Sequence, residues 1–557
     1  MRLINVDMTN QKIEEEDSHE IRLLGGRAII DQLLTKYMDP QVHPLSRKSY
    51  FIVANGLLAG TNAPNSGRLS IGGKSPLTGT IKEANSGGTA GYKLGRLGVR
   101  AIMVTGGAKE KKILVLSKTR VSLEDGSDIA GLGNYKATEI LRDRYGNKTA
   151  IILAGPAGEM GLCSSTVAVT DLEGKPSRHA ARGGLGAVMA SKGLKAIVID
   201  DSGCETKKGA DPEGFKAAVK AAIDAIMAKP TCQHLSKLGT PMWVDTDQTR
   251  GSMPTFNYRA GAFDGFQKIN GITIADLAKN RGGKMGHGCM PGCVVRCSHT
   301  FNGPDKEFVT SSLEYETIAM LGANLGIDDI DSIARMDRHC DDLGIDTIEA
   351  GAAIGILNDV GLFTFGDFNA AEAKIDEIAK GSPLGRIIGN GVHFTAQAFG
   401  IDRVPAVKRQ AIPAHSARSV KGWGVTYATS PQGADHSAGP VGVEPLSNHG
   451  HAERSLTAQI QMAALDSVGI CWFTFIYGAP NLIVPMINTY YGINWTEIDY
   501  LNMGRTVLRQ EIAFNLKAGI SLEGNGLPEW LREEVLPPKE AIFDVSKDDI
   551  HSIFSTL

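Results

Sequence analysis

The chain carries little net charge: 58 Lys and Arg against 61 Asp and Glu leave -3 over 557 residues, with a pI near 6.5. That excludes a basic field for nucleic acid or for an anionic membrane surface. No apolar run is long and clean enough to span a bilayer. The most apolar stretch, GICWFTFIYGAPNLIVPMI at 469–487, is broken by Pro480, Asn481 and Pro485 and reads as buried core or cavity lining. The start, MRLINVDMTNQKIEEEDSHE, lacks the basic end and apolar core of a signal peptide, so a cytoplasmic location is expected. Cysteine is scarce, eight in all, and a tight cluster plus scattered singles favours metal ligation over a disulfide framework in a reducing compartment. No fixed-period repeat, low-complexity tract or long charged linker is found, and the length suits two to four domains or one large fused core.

Glycine, by contrast, is abundant: 66 residues, well above the roughly 7% of ordinary usage. Much of it lies before residue 200, where backbone must approach something closely. There the chain alternates short strand-like runs (ILVLS, AIIL, STVAVT, AIVID) with glycine turns (NSGG, RGG). A helical regime begins at DPEGFKAAVKAAIDAIMAKP, with Asp211 as N-cap and Pro212 at the first helical position. Phe215, Val219, Ala222, Ile223 and Ile226 form its apolar stripe. A softer boundary falls near 404–417. These patterns predict an α+β protein: an N-terminal β-rich domain over 1–205, then two mostly α-helical domains over 206–405 and 406–557.

The segment HGCMPGCVVRCSH, 287–299, holds Cys289, Cys293 and Cys297 within nine residues. Pro291 and Gly292 prevent a regular helix at its start, so a loop wraps whatever the thiols bind. Three thiolates could hold three irons of a cubane, leaving the fourth iron to a distant ligand. Zinc fits the spacing too, with His287 and His299 flanking the cluster, and spacing leaves both open. Two hexapeptides, DDLGID at 341–346 and DSVGIC at 466–471, share Asp-x-x-Gly-Ile. The second ends in Cys471, a candidate fourth ligand. A carboxylate also suits a pterin edge, where an amino group and a ring N–H lie side by side. Read more plainly, Asp346 with Glu349 makes a helix capping box.

Taken together, these segments resemble the tungsten-containing aldehyde ferredoxin oxidoreductases over essentially the whole chain. The likeness includes GRLSIGGKSPLTGTIKEANSGGTAGYKLGRLGVRAIMVTG (67–106), ARGGLGAVMASKGLKAI (181–197), the cysteine loop, LEYETIAMLGANLGI (313–327), both hexapeptides and GVTYATSPQGADH (424–436). It implies a β domain as the cofactor base with two helical domains closing over it. It also implies tungsten, or molybdenum in some branches, held by two pyranopterins (molybdopterin), and a magnesium bridging their phosphates. The dithiolene sulfurs, not side chains, bind the metal, so tungsten and molybdenum both stay open.

By the same resemblance the cofactor-binding residues are Arg68, Asn85, Gly87, Gly88, Ala180, Arg182, Gly183, Gly184, Asp341, Asp346, Asp466 and Ile470. Arg68 and Arg182 would take phosphate oxygens, and the glycines would let amides reach phosphate and pterin. Cys289, Cys293, Cys297 and Cys471 would hold one [4Fe-4S] cluster. Glu314 and His436 would be the catalytic pair, with Glu316 a rival to Glu314 and Asp435 the neighbour that would set the His436 tautomer. Tyr315, Tyr427 and the aromatic run 472–477 would line the substrate cavity.

Some features depart from the family. The cysteine loop is one residue longer than its usual Cys-x2-Cys-x3-Cys, and Gln432 stands where SPRGADH has arginine. Arg335 and Arg338 occupy the positions of an inter-subunit iron site, which is therefore absent; oligomeric assembly stays open. The implied function is reversible oxidation of an aldehyde to a carboxylate, with electrons passing to ferredoxin or a small multi-cluster iron–sulfur subunit. The alternatives are the active-site subunit of a class II aromatic acyl-CoA reductase and, in another class, a zinc-stapled scaffold without catalysis.

Overall fold

The computed structural model describes residues 1–442 and 444–557. The short runs before residue 200 form two six-stranded sheets. In the first, the order is Lys12–Asp17, Arg2–Asp7, Val99–Thr105, Phe51–Asn55, Leu69–Lys74, Ile81–Ser86, with only the Arg2–Asp7/Val99–Thr105 pair parallel. In the second, the order is Arg178–Ala180, Val167–Val169, Ala150–Ala154, Leu194–Ile199, Lys112–Leu116, Val121–Asp125. Central strands such as Phe51–Asn55 and Ala150–Ala154 are buried on both faces, which is why they read as continuous apolar runs rather than alternating ones. Ile71 and Val104 from one sheet share a core with Ile152 and Ile197 from the other.

From Pro212 onward the chain is mainly helical. Asp211 caps its helix as its sequence foretold, accepting from the Gly214 N–H at 2.9 Å. The helical half is not purely helical, however. A three-stranded sheet of Lys284–His287, Ser298–Asn302 and Phe308–Ser311 brackets the cysteine loop, and a two-stranded one joins Ala406–Val407 to Gln410–Ala411. The largest apolar core gathers around the helices Tyr315–Leu321 and Thr347–Ile356. The stretch 469–487 becomes the short turn Trp472–Thr474 followed by helix Pro480–Tyr491, with Pro485 inside it. Among the described residues no helix is long and apolar enough to cross a membrane.

Glycine determines how the halves meet. Gly26, at φ +47°, abuts the Asp466 carbonyl, and Gly56 abuts that of Val468; a Cβ at either would collide with that backbone. This lets helix His451–Val468 dock against the first sheet, where Arg68 N–H donates to the Gly469 carbonyl at 3.2 Å. The abundance of glycine thus serves protein-to-protein approach, and it brings Asp466 and Cys471 to the wall of a cavity beside the sheet.

Candidate active site

A cavity of about 490 Å³ lies where the sheets meet the helical part, a size usual for small-molecule and cofactor sites. Its wall includes Arg68, Asn85, Gly87, Arg182, Cys289, Cys297, Glu314, Asp341, Asp346, His436, Asp466, Ile470 and Cys471. Residues as far apart as 68 and 471 therefore converge on one space. Gly88, Ala180, Gly183, Gly184 and Cys293 are not part of that wall. Gly88, Gly183 and Gly184 have positive φ, and each is needed by a neighbour within the protein: the Thr170 carbonyl, the Lys82 stem and the Cys163 carbonyl respectively. Only Gly87 opens a path between Arg68 and the Cys289 thiol.

The four cysteines gather at one end. Cys289 and Cys471 pack together with Met290, and Cys293 and Phe473 lie against them. A hydrogen bond to Cys293, then burial, push the Cys289 thiol well up, while Cys293 is drawn down by that bond. Burial raises Cys471 to about 11. The arrangement is clamped by Asn65, a residue outside every motif named above. Its N–H donates to the Gly292 carbonyl at 3.0 Å and its carbonyl accepts from Cys471 N–H at 2.9 Å. Its side chain accepts from Val294 N–H at 2.9 Å and donates to the Cys293 sulfur at 3.3 Å. The local signal, an asparagine beside proline in NAPNSG, is too common to single it out. Burial and Arg178 keep His287 and His299 neutral, their pKa pushed down to about 4 and about 3, and His299 Nε2 is engaged, accepting from Leu313 N–H at 3.1 Å.

Asp341 sits on helix Ile330–Leu343 with His179 Nε2 at 3.1 Å. Asp346 caps helix Thr347–Ile356 by accepting from Ile348 N–H at 3.0 Å. The capping-box reading is not met, because Glu349 instead accepts from Ala411 N–H at 2.6 Å and Val392 N–H at 3.1 Å. Arg182 donates to Asp346 at 3.2 Å and to the Ala434 and Ala411 carbonyls at 2.6 and 2.8 Å, so its fork is engaged within the protein. Arg68 is bonded to the Asn85 side chain and, at 3.0 Å, to its carbonyl. Burial, then the neighbouring Glu83, push the Asp466 carboxyl up to about 8. Gln432 is part of the cavity wall, and its amide is used within the protein: buried, it accepts from Glu83 N–H at 3.1 Å and donates to Glu511.

The acid–base candidates divide. Glu314 precedes helix Tyr315–Leu321, accepts from Thr240 and faces Arg178 at 3.7 Å; burial raises its pKa and Arg178 opposes the rise. His436 faces the rival, Glu316, with Nδ1 to Oε1 at 3.6 Å. Asp435 does not set the His436 tautomer: it lies at 3.8 Å, and its oxygens serve Ser437 and Lys82. Despite burial, Lys82, His436 and Arg182 hold Asp435 far below the usual carboxylate range. Trp472, Phe473, Phe475, Tyr477 and Tyr315 line the cavity as expected. Tyr427 does not; it is buried behind His415, donating to that residue's carbonyl at 3.3 Å. Arg335 pairs with Glu372 at 2.8 Å, and Arg338 stacks on the Tyr135 ring.

Comparison with known proteins decides the family. Residues 3–201 match the N-terminal domain of aldehyde ferredoxin oxidoreductase, and residues 217–551 match its domains 2 and 3. The chain belongs to the aldehyde ferredoxin oxidoreductase family. It is 32% identical to the tungsten-containing aldehyde ferredoxin oxidoreductase of Pyrococcus furiosus, over 96% of this chain and 91% of that one. It is 26% identical to the WOR-like subunit of an aliphatic sulfonate oxidoreductase from the same organism, over 90% and 83%. The active-site complex BamBC of benzoyl coenzyme A reductase shares the fold, with a TM-score of 0.82, 18% identity and coverage of 95% and 90%. The family's N-terminal β-rich domain followed by helical domains is the architecture described above.

Proposed function

We propose that this member of the family is a tungsten- or molybdenum-pterin oxidoreductase that interconverts aldehydes and carboxylates, its electrons leaving through one [4Fe-4S] cluster to ferredoxin or an iron–sulfur partner. The observation that carries the reading is the convergence of Cys289, Cys293, Cys297 and Cys471 at one end of a cavity walled by Asp341 and Asp466. Four cysteines at one place can serve the four irons of a cubane, each iron taking its own thiolate.

The residues present fit the cofactor chemically. Asp341 and Asp466 offer two-oxygen acceptors for a pterin edge. Buried Arg178 and Arg182 and half-buried Arg68 place positive charge on the cavity wall, which suits an anionic, phosphate-bearing cofactor. When bound, the metal centre supplies the two-electron step. Within the protein, the Glu316 carboxylate lies 3.6 Å from His436 Nδ1 and gives that side of the ring an electrostatic preference, so Nε2 is the nitrogen to take up or return a proton. Glu314, raised by burial, is a second base near the cysteines. Trp472, Phe473 and Phe475 pack against one another and keep water from this end.

Anaerobically purified protein should contain tungsten or molybdenum with about four irons per chain, and should reduce viologen dye on addition of an aldehyde. Zinc alone, or reduction of benzoyl-CoA without turnover of any aldehyde, would overturn the reading.

A further inference from the structure

Behind Glu316 and His436 a buried row of acids and imidazoles continues through His415 to Asp247, two residues that the reaction as described does not use. His415 is buried between two carboxylates, with Nδ1 at 3.0 Å from Asp247 Oδ1 and Nε2 at 3.4 Å from Glu316 Oε1. With a carboxylate oxygen near each ring nitrogen, the charged form of this imidazole is the favoured one. Its ring is locked by Trp423, centroids 4.0 Å apart, and by Tyr315 at 5.0 Å. Asp247 is anchored in turn by Ser252. Glu316 Oε2 accepts from Ala414 N–H at 2.7 Å, which turns Oε1 between His415 and His436. Neither Glu316 Oε1 nor His436 Nδ1 has a hydrogen-bond partner, although both are buried. The segments that build this row come from helices Trp243–Arg250 and Tyr315–Leu321 and from loops at 415 and 436.

We propose that Asp247 and His415 are positioning residues for His436: the His415 cation shares the Glu316 carboxylate with His436, so that Glu316 orients His436 without trapping its proton. The inference rests on the role proposed above for His436 and extends it. The charge order along the row is negative, positive, negative, and then His436. With the cation in place, Glu316 is a weak partner that keeps Nδ1–H directed inward and Nε2 toward the cavity. Without it, the full carboxylate charge would fall on His436 and hold it protonated, which spoils a base meant to work near neutral pH.

Asp435 also faces His436, at 3.8 Å from Nδ1; despite burial, Lys82, His436 and Arg182 favour its ionised form, and it is unchanged in every variant below, so it adds a constant background. Arg250 acts on His415 and Arg182 on Glu316, both as fixed cations. Tyr258, Tyr315 and Tyr427 surround Glu316 with hydroxyls that burial keeps neutral. Burial by itself would lower the His415 pKa; Asp247 and Glu316 outweigh it and raise it.

The test reads His436 directly. Diethyl pyrocarbonate acylates only neutral imidazole, and peptide mass spectrometry of the whole protein follows its reaction at His436 against pH. In His415→Gln the midpoint should move up by about one pH unit, the scale of an opposite charge a few ångströms away. Asp247→Asn should move it the same way by less, and Glu316→Gln should move it down. Circular dichroism identifies folded variants, and Asp247→Asn carries the test should His415→Gln fail to fold. An unchanged midpoint in folded His415→Gln or Asp247→Asn overturns the inference. The readout needs no turnover, so it stands apart from failure of the aldehyde assay.

Discussion

Replacing Arg27 with methionine should destabilise the protein strongly, and also replacing its partner should restore most of the loss. Arg27 Nε and Nη2 donate to the two oxygens of Glu511 at 2.7 and 2.8 Å, and Nη1 faces Asp466 at 3.4 Å. The Arg27 and Glu511 side chains are 4% and 0% exposed, so neither charge is solvated. Asp31, one helical turn from Arg27, adds a third buried carboxyl beside Glu511; burial, then Glu511, push its pKa well up. Arg27→Met would leave Glu511 charged and uncompensated, a loss of about 3–5 kcal/mol. Arg27→Met with Glu511→Leu removes both charges and should fall within about 1 kcal/mol of the parent, because a well-packed apolar pair costs no desolvation. Urea unfolding followed by tryptophan fluorescence measures both, with unfolding rates replacing midpoints where refolding is incomplete. If the single variant lies within about 1 kcal/mol of the parent, or the double variant is no better than the single, Glu511 does not depend on Arg27 for its charge and the argument fails.

Cys471→Ser should lose or degrade the cluster, read as iron per chain and the visible spectrum; retention of both would show that Cys471 is not a ligand. Gly26→Ala combines positive φ with a collision at the Asp466 carbonyl, and should cost at least about 1–3 kcal/mol in the same urea assay. The raised pKa of His415 sets a pH signature: its charge contributes fully below the ordinary histidine value of about 6.5 and is lost as pH rises through the folded value. The stability gap between the parent and His415→Gln should therefore be larger at pH 6 than at pH 9, and a gap that grew with pH would contradict the assignment. Finally, Glu316→Gln should lower aldehyde turnover more than Glu314→Gln, since His436 faces Glu316; the reverse order in kcat would restore Glu314 as the principal acid.

Features that depend on neighbours along the chain are legible in the residues themselves. Asp211 and Pro212 announce a helix start because capping is a contact across three residues. The runs around Ile152 and Ile197 read as strands because both faces are apolar. The cysteine loop and both Asp-x-x-Gly hexapeptides stand out by spacing alone, and with the surrounding segments they carry the family. What spacing cannot assign is direction: whether Asp346 pairs with Glu349 or with Arg182, and whether Gly183 faces a ligand or Lys82.

The one-dimensional string therefore determined the fold class, the halves of the chain and the residue types brought to the site, since these follow from local periodicity and short motifs. Tertiary structure alone decided that Asn65 ties the cysteine loop to Cys471, that Glu316 joins Asp435 beside His436, and that His415 lies between two acids. Such partners come from chain segments up to several hundred residues apart. Their meeting is set by how glycine-lined backbones let helix and sheet approach, a packing outcome that no local pattern encodes.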